Sequence, residues 1–184
     1  NAPEGREVPA TQVENWEGAP FEPTGNPMLD GIGAASYAMR ADEPDLAYDD
    51  GLPKIVPLRA APSFFLATED PDPRGMVVVG ADRRSAGIVR DVWVDRSETV
   101  ARYLEVELPE TGQGPRSVLL PMNLSQIDKR RRRIFVRSIL ADQFATVPAL
   151  KNPDQVTLRE EDQITAYYGG GNLYATPSRR ESRL

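Results

Sequence analysis

The sequence predicts a mainly β fold of the α+β class: a small barrel or sandwich, preceded by an extended irregular arm and followed by a C-terminal helix. Three observations carry this. From Ile55 onward, short apolar segments rich in valine, isoleucine and aromatic residues recur between proline and aspartate turns. Two of them, within the stretch from Ala86 to Leu108, flank a charged turn of sequence DRSE. Residues 1 to 50, by contrast, hold eleven acidic and two basic side chains, many prolines and glycines, and no apolar periodicity. Such a segment cannot bury much surface by itself.

Taken in chain order, residues 1–53 read as the arm, interrupted by Pro3, Pro9, Pro20, Pro23, Pro27 and Pro44, and residues 54–184 as the folded domain. Ile55 to Leu58, Phe64 to Ala67 and Met76 to Gly80 are short strand segments. Ile88, Val92, Trp93 and Val94 then favour a pleated surface before the DRSE turn. After it, Tyr103, Leu104, Val106 and Leu108 carry apolar surface while Glu105 and Glu107 alternate with the last three, predicting a strand with one wet face. Ser117 to Leu120 and Ile134 to Arg137 complete the set, with Asp128 to Arg133 as a polar hairpin tip. Ser138 to Ala145 fits a short helix ending before Pro148. A second helix starts at Thr157, which stands three residues before Glu160 as in a capping box, with Glu160, Glu161 and Asp162 favouring the dipole of the first turn. Ile164, Tyr167 and Tyr168 share one face, and Gly169 to Gly171 is expected to end the element. The arginine-rich tail from Ser178 to Leu184 is expected to fray.

Composition narrows the chemistry. The net charge of −6 combines the acidic arm with a body of 17 acids and 20 bases from residue 51 onward. No run of about 18 apolar residues is present, so no segment here spans a bilayer by itself, and no signal peptide is visible. The chain has no cysteine, which removes disulfides and thiol chemistry, and no histidine, which removes Ser-His and Cys-His dyads and nearly every zinc site. Carboxylates, lysine, tyrosine and serine remain for chemistry, and a carboxylate hydrolase would have only Asp95 and Glu98 behind it. The phosphate-loop pattern is also missing: GIGAAS follows no strand, GGG follows a helix, and neither carries the lysine. Asp70 and Asp72 alternate with proline and read as a turn rather than a cation site.

Three groups remain as candidates. Asp95 and Glu98, with Arg102 nearby, form the best carboxylate pair; by residue type alone they also fit a solvated turn with its counter-charge. Lys129 to Arg133, KRRRR, fits a solvated hairpin tip, a lipid-facing patch or a nucleic-acid patch, although no aromatic side chains interleave with it. Trp16 and Phe21 lie on the acidic arm with little local core to enter, which suits anchoring to a partner.

The stretch AGIVRDVWVDRSE, with RYLEVEL and LLP after it, resembles the cytoplasmic domain of the photosynthetic reaction centre H subunit of purple-type bacteria, a member of the PRC-barrel group. PTGNPMLDGIGAASYA, KIVPLR, DPDPRGMVVVGAD, DQFATVP, NPDQVTLREED and AYYGGGNLYATP resemble other segments of that subunit in the same order, from about Gly18 to the C-terminus. The resemblance implies a PRC-barrel-like core and a non-catalytic subunit. It would cap the cytoplasmic face of the L and M subunits, stabilise the assembly and assist proton transfer to the secondary quinone. Glu98 then matches a proton-delivering glutamate, with Asp95 and Arg102 close by; carboxylates clustered at a buried junction interact and share protons. Surface histidines collect protons in the family upstream of the KIVPLR-like segment; here Asp49 and Asp50 occupy that region. Bacteriochlorophyll, bacteriopheophytin, quinone and non-haem iron are expected in the partner subunits and not in this chain. Light-harvesting antenna polypeptides and anionic lipid are further contacts, and no nucleic acid is expected. The location implied is the cytoplasmic face of the photosynthetic inner (intracytoplasmic) membrane. The family's subunit opens with a membrane-spanning helix, so this chain, starting at Asn1, reads as a fragment. PRC-barrel domains also occur in a ribosome maturation factor, which makes an RNA- or ribosome-associated module the alternative, against the acidic arm and a pI near 4.8.

Overall fold

The computed structural model describes residues 9–19, 21–67, 69–110 and 114–180. Its framework is a seven-stranded sheet built around one long strand. In chain order the elements are the hairpin β1 (Ala10–Gln12) and β2 (Phe21–Pro23), helix α1 (Pro27–Asp30), then β3 (Ile55–Pro57), β4 (Val77–Val79), β5 (Ser85–Asp95), β6 (Val100–Glu107), β7 (Ser117–Pro121), β8 (Gln126–Asp128), β9 (Arg133–Phe135) and helix α2 (Leu158–Tyr174). The ladder runs β7-β6-β5-β4-β9-β8, with β3 also on β5. One edge of β5 receives β6 along its length; the other is shared by β4, opposite Ser85 to Ile88, and β3, opposite Trp93 to Asp95. All pairs are antiparallel except β4 with β9. Among the described residues no ladder joins β7 to β8, so the sheet stays open there.

Val92, Leu104, Val106 and Leu120 share one face of the sheet and Trp93 and Leu119 the other; both faces are buried, and Ile139, Phe144, Ile164 and Tyr168 belong to the same core. This apolar area supplies the main driving force for folding. Glu105 departs from the wet face expected of its strand: it is 5% exposed, and its carboxylate is covered by the Arg59 side chain and the Trp93 indole. Period-two alternation gives the side of a sheet, not what covers that side.

Several local expectations are corrected. The arm is not irregular throughout, since it contains the β1–β2 hairpin and α1, both too short for any period to show. Phe64 to Ala67 forms no strand; Phe64 and Leu66 are partly buried against the core instead. The helix expected over 138–145 is a single 3-10 stretch, Asp142–Thr146. The preceding amides are already engaged, Leu140 N donating to Gln143 Oε1 at 2.8 Å and Ala141 N to Asp82 Oδ1 at 3.2 Å.

The capping box at Thr157 forms: Glu160 N donates to Thr157 Oγ1 at 3.1 Å and Thr157 N to Glu160 Oε2 at 2.9 Å. The glycines do not end α2, which continues through Gly169 to Gly171 as far as Tyr174. They serve close approach instead. A Cβ on Gly170 would sit 2.4 Å from Ala35 Cβ, and one on Gly171 would sit 2.4 Å from Ser138 O. Nor does the described part of the tail fray. Arg179 donates to the carbonyls of Ser138, Gly171 and Arg137 at 2.6, 2.7 and 2.9 Å; residues 181–184 lie outside the described residues.

Part of the arm is bound to the helix that closes the chain. Leu158 N donates to Glu43 O and Arg159 N to Ala41 O, while Thr157 Oγ1 donates to Asp42 Oδ1 at 3.1 Å. Lys151 pairs with Asp42 and, more than any other group, holds that carboxyl below its usual range. Residues 41–43 thus wrap the N-terminus of α2.

Candidate functional site

The DRSE turn closes the β5–β6 hairpin at the end of the sheet where β3 joins. Thr99 takes a left-handed conformation, φ 56°, and its N–H returns to Asp95 O at 2.8 Å. The Asp95 side chain organises the turn from inside: Oδ1 accepts from Ser97 N and Glu98 N, both at 3.0 Å. Its Oδ2 faces Arg102 Nη2 at 3.4 Å, and the residue is 1% exposed. Arg102 Nη2 also reaches Glu98 Oε2 at 3.0 Å, and the Glu98 side chain is 54% exposed. One guanidinium therefore links a buried carboxylate to one facing water.

The same turn binds the arm. Arg96 donates to both Asp50 oxygens, at 2.7 and 3.1 Å, and through Nε to Pro53 O at 2.9 Å. This fork-to-carboxylate pairing fixes orientation as well as distance. It brings the turn carrying Asp49 and Asp50 against the one carrying Asp95 and Glu98, so five residues singled out by sequence meet at one end of the sheet. The Arg96 hydrogen bonds, with help from Leu52 N, lower the Asp50 carboxyl to about 2. Asp50 is thus a fixed anion at neutral pH. Asp49, beside it, is exposed.

Behind Asp95 and Arg102 lies a cavity of about 420 Å³ that also meets Arg40, Lys54, Tyr103 and Glu161. Tyr103 donates its hydroxyl to Glu161 Oε2 at 2.7 Å. Burial pushes the Glu161 carboxyl up, against the opposing pull of Tyr103, Arg102 and Arg40. Burial, then the nearby Glu161 charge, pushes the Tyr103 phenol well above its ordinary range. By sequence Glu161 was only a first-turn acid suited to the helix dipole. No local signal marks it, because the contact spans 58 positions.

A second charged centre escaped the sequence entirely. Arg59 Nη1 lies 3.1 Å from Asp91 Oδ2 and 2.5 Å from Glu105 Oε2, and its Nε meets Asp154 Oδ1 at 3.1 Å. Trp93 Nε1 donates to the same Glu105 oxygen at 3.0 Å. Asp91 and Glu105 are both 5% exposed. This cluster ties the segment after β3 to the middle of β5 and β6, and its role is to hold the sheet together.

Trp16 and Phe21 belong to the β1–β2 hairpin region, 57% and 67% exposed, and neither side chain enters the core. The KRRRR run forms the β8–β9 tip, where Arg131 N donates to Asp128 Oδ1 at 3.0 Å.

The strand core defines the class: residues 68–143 match the PRC-barrel domain family. Residues 1–60 match a second family, described as the photosynthetic reaction centre H-chain N-terminal region. With the two matches in this order, the chain belongs to the family of photosynthetic reaction centre H subunits. It is thus a subunit of the photosynthetic reaction centre, a membrane-associated assembly, and associates with that centre's core subunits. Among the described residues no helix is long and apolar enough to cross a membrane.

Proposed function

We propose that this chain is a non-catalytic subunit that caps the L and M subunits on the cytoplasmic face of the membrane, stabilises them, and passes protons toward the secondary quinone. The arm, residues 1–53, and its exposed Trp16 and Phe21 meet the partner. Pigments, quinones and non-haem iron are held by L and M, and this chain adds the polar lining that reaches water.

The observation supporting the relay is the pairing of Asp95, buried, with Glu98, exposed, through Arg102. A route for protons needs carboxylates within reach of one another, one of them in contact with solvent. Glu98 and Asp49 meet solvent, Asp95 and Glu161 line the cavity behind, and Arg102 balances their charge. Asp50, held as an anion by Arg96, keeps the two turns in register.

The test uses the assembled reaction centre with Glu98→Gln. The second, proton-coupled reduction of the secondary quinone slows, while the first electron transfer and the recovery of assembled complex stay unchanged. Unaltered second-reduction kinetics over a broad pH range would remove Glu98 from the route.

A further inference from the structure

The end of β5 remote from the DRSE turn carries a feature that the proposed function does not use. A groove of about 620 Å³ opens between the turn after β4 and the β8–β9 hairpin, within the size of small-molecule sites. Four arginines line it, Arg83, Arg131, Arg133 and Arg137, and no acidic residue does. The KRRRR run supplies only two of these; Arg83 arrives from the 80–84 turn and Arg137 from beyond β9.

Their placement follows from the backbone. The parallel pairing of β4 with β9 sets Val79 opposite Phe135. Period two then puts Arg133 and Phe135 on the outer face of β9, and Arg137, in the bend just after it, is exposed, while Ile134 and Val136 are buried. The half-buried Phe135 lies between Arg133 and Arg137 and also lines the groove. Arg83 adopts a left-handed conformation, φ 63°. Among the described residues Arg83, Arg133 and Arg137 have no carboxylate partner, and Arg131 has only a long pair with Asp128 at 3.8 Å. Arg59, Arg74, Arg96 and Arg102, by contrast, pair with acids at 3.4 Å or closer, while Arg84 and Arg90 make only long pairs at 3.9 and 4.0 Å. Four like charges around one groove repel one another unless an anion sits between them.

We propose that this groove is a binding site for a phosphate-bearing anion with at least two negative charges. Guanidinium forks match phosphate oxygens two at a time, and four of them can hold two phosphate groups. Such a group can come from a soluble phosphate compound or from the headgroup of an anionic lipid. The site is independent of the proton route, which lies at the other end of β5.

The full chain is titrated calorimetrically with pyrophosphate, and its binding to phosphatidylglycerol-containing vesicles is measured with and without pyrophosphate as competitor. Saturable pyrophosphate binding without vesicle binding identifies a soluble phosphate source; vesicle binding displaced by pyrophosphate identifies the headgroup. In either case Arg133→Gln and Arg137→Gln each weaken binding at least tenfold with an unchanged melting temperature, both residues being exposed. Arg130→Gln, which does not line the groove, changes it less than twofold. If pyrophosphate neither binds nor competes, or if Arg130→Gln costs as much as Arg133→Gln, the site is overturned.

Discussion

Replacing Arg59 by methionine removes the only cation that contacts both Asp91 and Glu105 among the described residues, while keeping most of the apolar stem. Both carboxylates are 5% exposed, so neither can recover full hydration. Breaking a buried ion pair from one side costs about 3–5 kcal/mol, because the partner is left charged and unpaired. The Arg59 side chain is 34% exposed, which lets water reach the vacated position, and Trp93 still donates to Glu105, so the low end, about 3 kcal/mol, applies. That is a large share of the ~5–15 kcal/mol by which domains are stable. Urea unfolding at pH 7, followed by tryptophan fluorescence, measures it. Adding Glu105→Gln to the variant recovers part of the loss. Asp154→Asn, which removes only the half-exposed partner, costs under about 1 kcal/mol. A loss below about 1 kcal/mol for Arg59→Met would refute the assignment of Arg59 as the group that makes these two acids tolerable.

Burial raises the Glu161 carboxyl, so the folded state holds that proton better than the unfolded state does. Its contribution to stability is present below the ordinary carboxylate range and declines as pH rises through the raised value. Glu161→Gln keeps an acceptor for Tyr103 and removes this decline; thermal melting across pH 4 to 8 then shows a flatter profile, with no loss at pH 7. A drop of several degrees at pH 7 would show that the charge itself is needed. Along α2, neighbouring glycines should respond with opposite signs in chemical denaturation. Gly169→Ala, whose new Cβ meets only Ala34 O at 3.9 Å, gains up to ~1 kcal/mol of helix propensity. Gly170→Ala, forced to 2.4 Å from Ala35 Cβ, loses about 1–3 kcal/mol. Equal effects at the two positions would contradict the close approach of α2 to the arm.

What could be read along the chain was what local chemistry decides. Alternation and β-branching placed β5 and β6 on either side of DRSE, and the Thr157–Glu160 spacing placed the start of α2. Asp95, Glu98 and Arg102 were legible as a group because they lie within one turn and the first residues of one strand. Failures came where a distant segment overrode a local preference. Glycine is a poor helix former and commonly ends helices, yet α2 runs through Gly170 and Gly171, where Ala35 and Ser138 occupy the space a side chain would fill. Phe64 to Ala67 has strand composition but joins no ladder, Phe64 and Leu66 packing against the core instead.

The sequence by itself determined the class of fold, the absence of histidine and thiol chemistry, and the turn in which the principal carboxylates sit, since each depends on residue type and short spacing. Only the tertiary structure decided which charges meet. Arg96 reaches Asp50 across 46 positions, Tyr103 reaches Glu161 across 58, and Arg59 reaches both Asp91 and Glu105. Long-range pairing of this kind leaves no periodic trace, because a charged side chain reads the same along the chain whether it faces water or a buried partner. Burial and distance separate the two cases, and both arise when the sheet brings its edges and loops together.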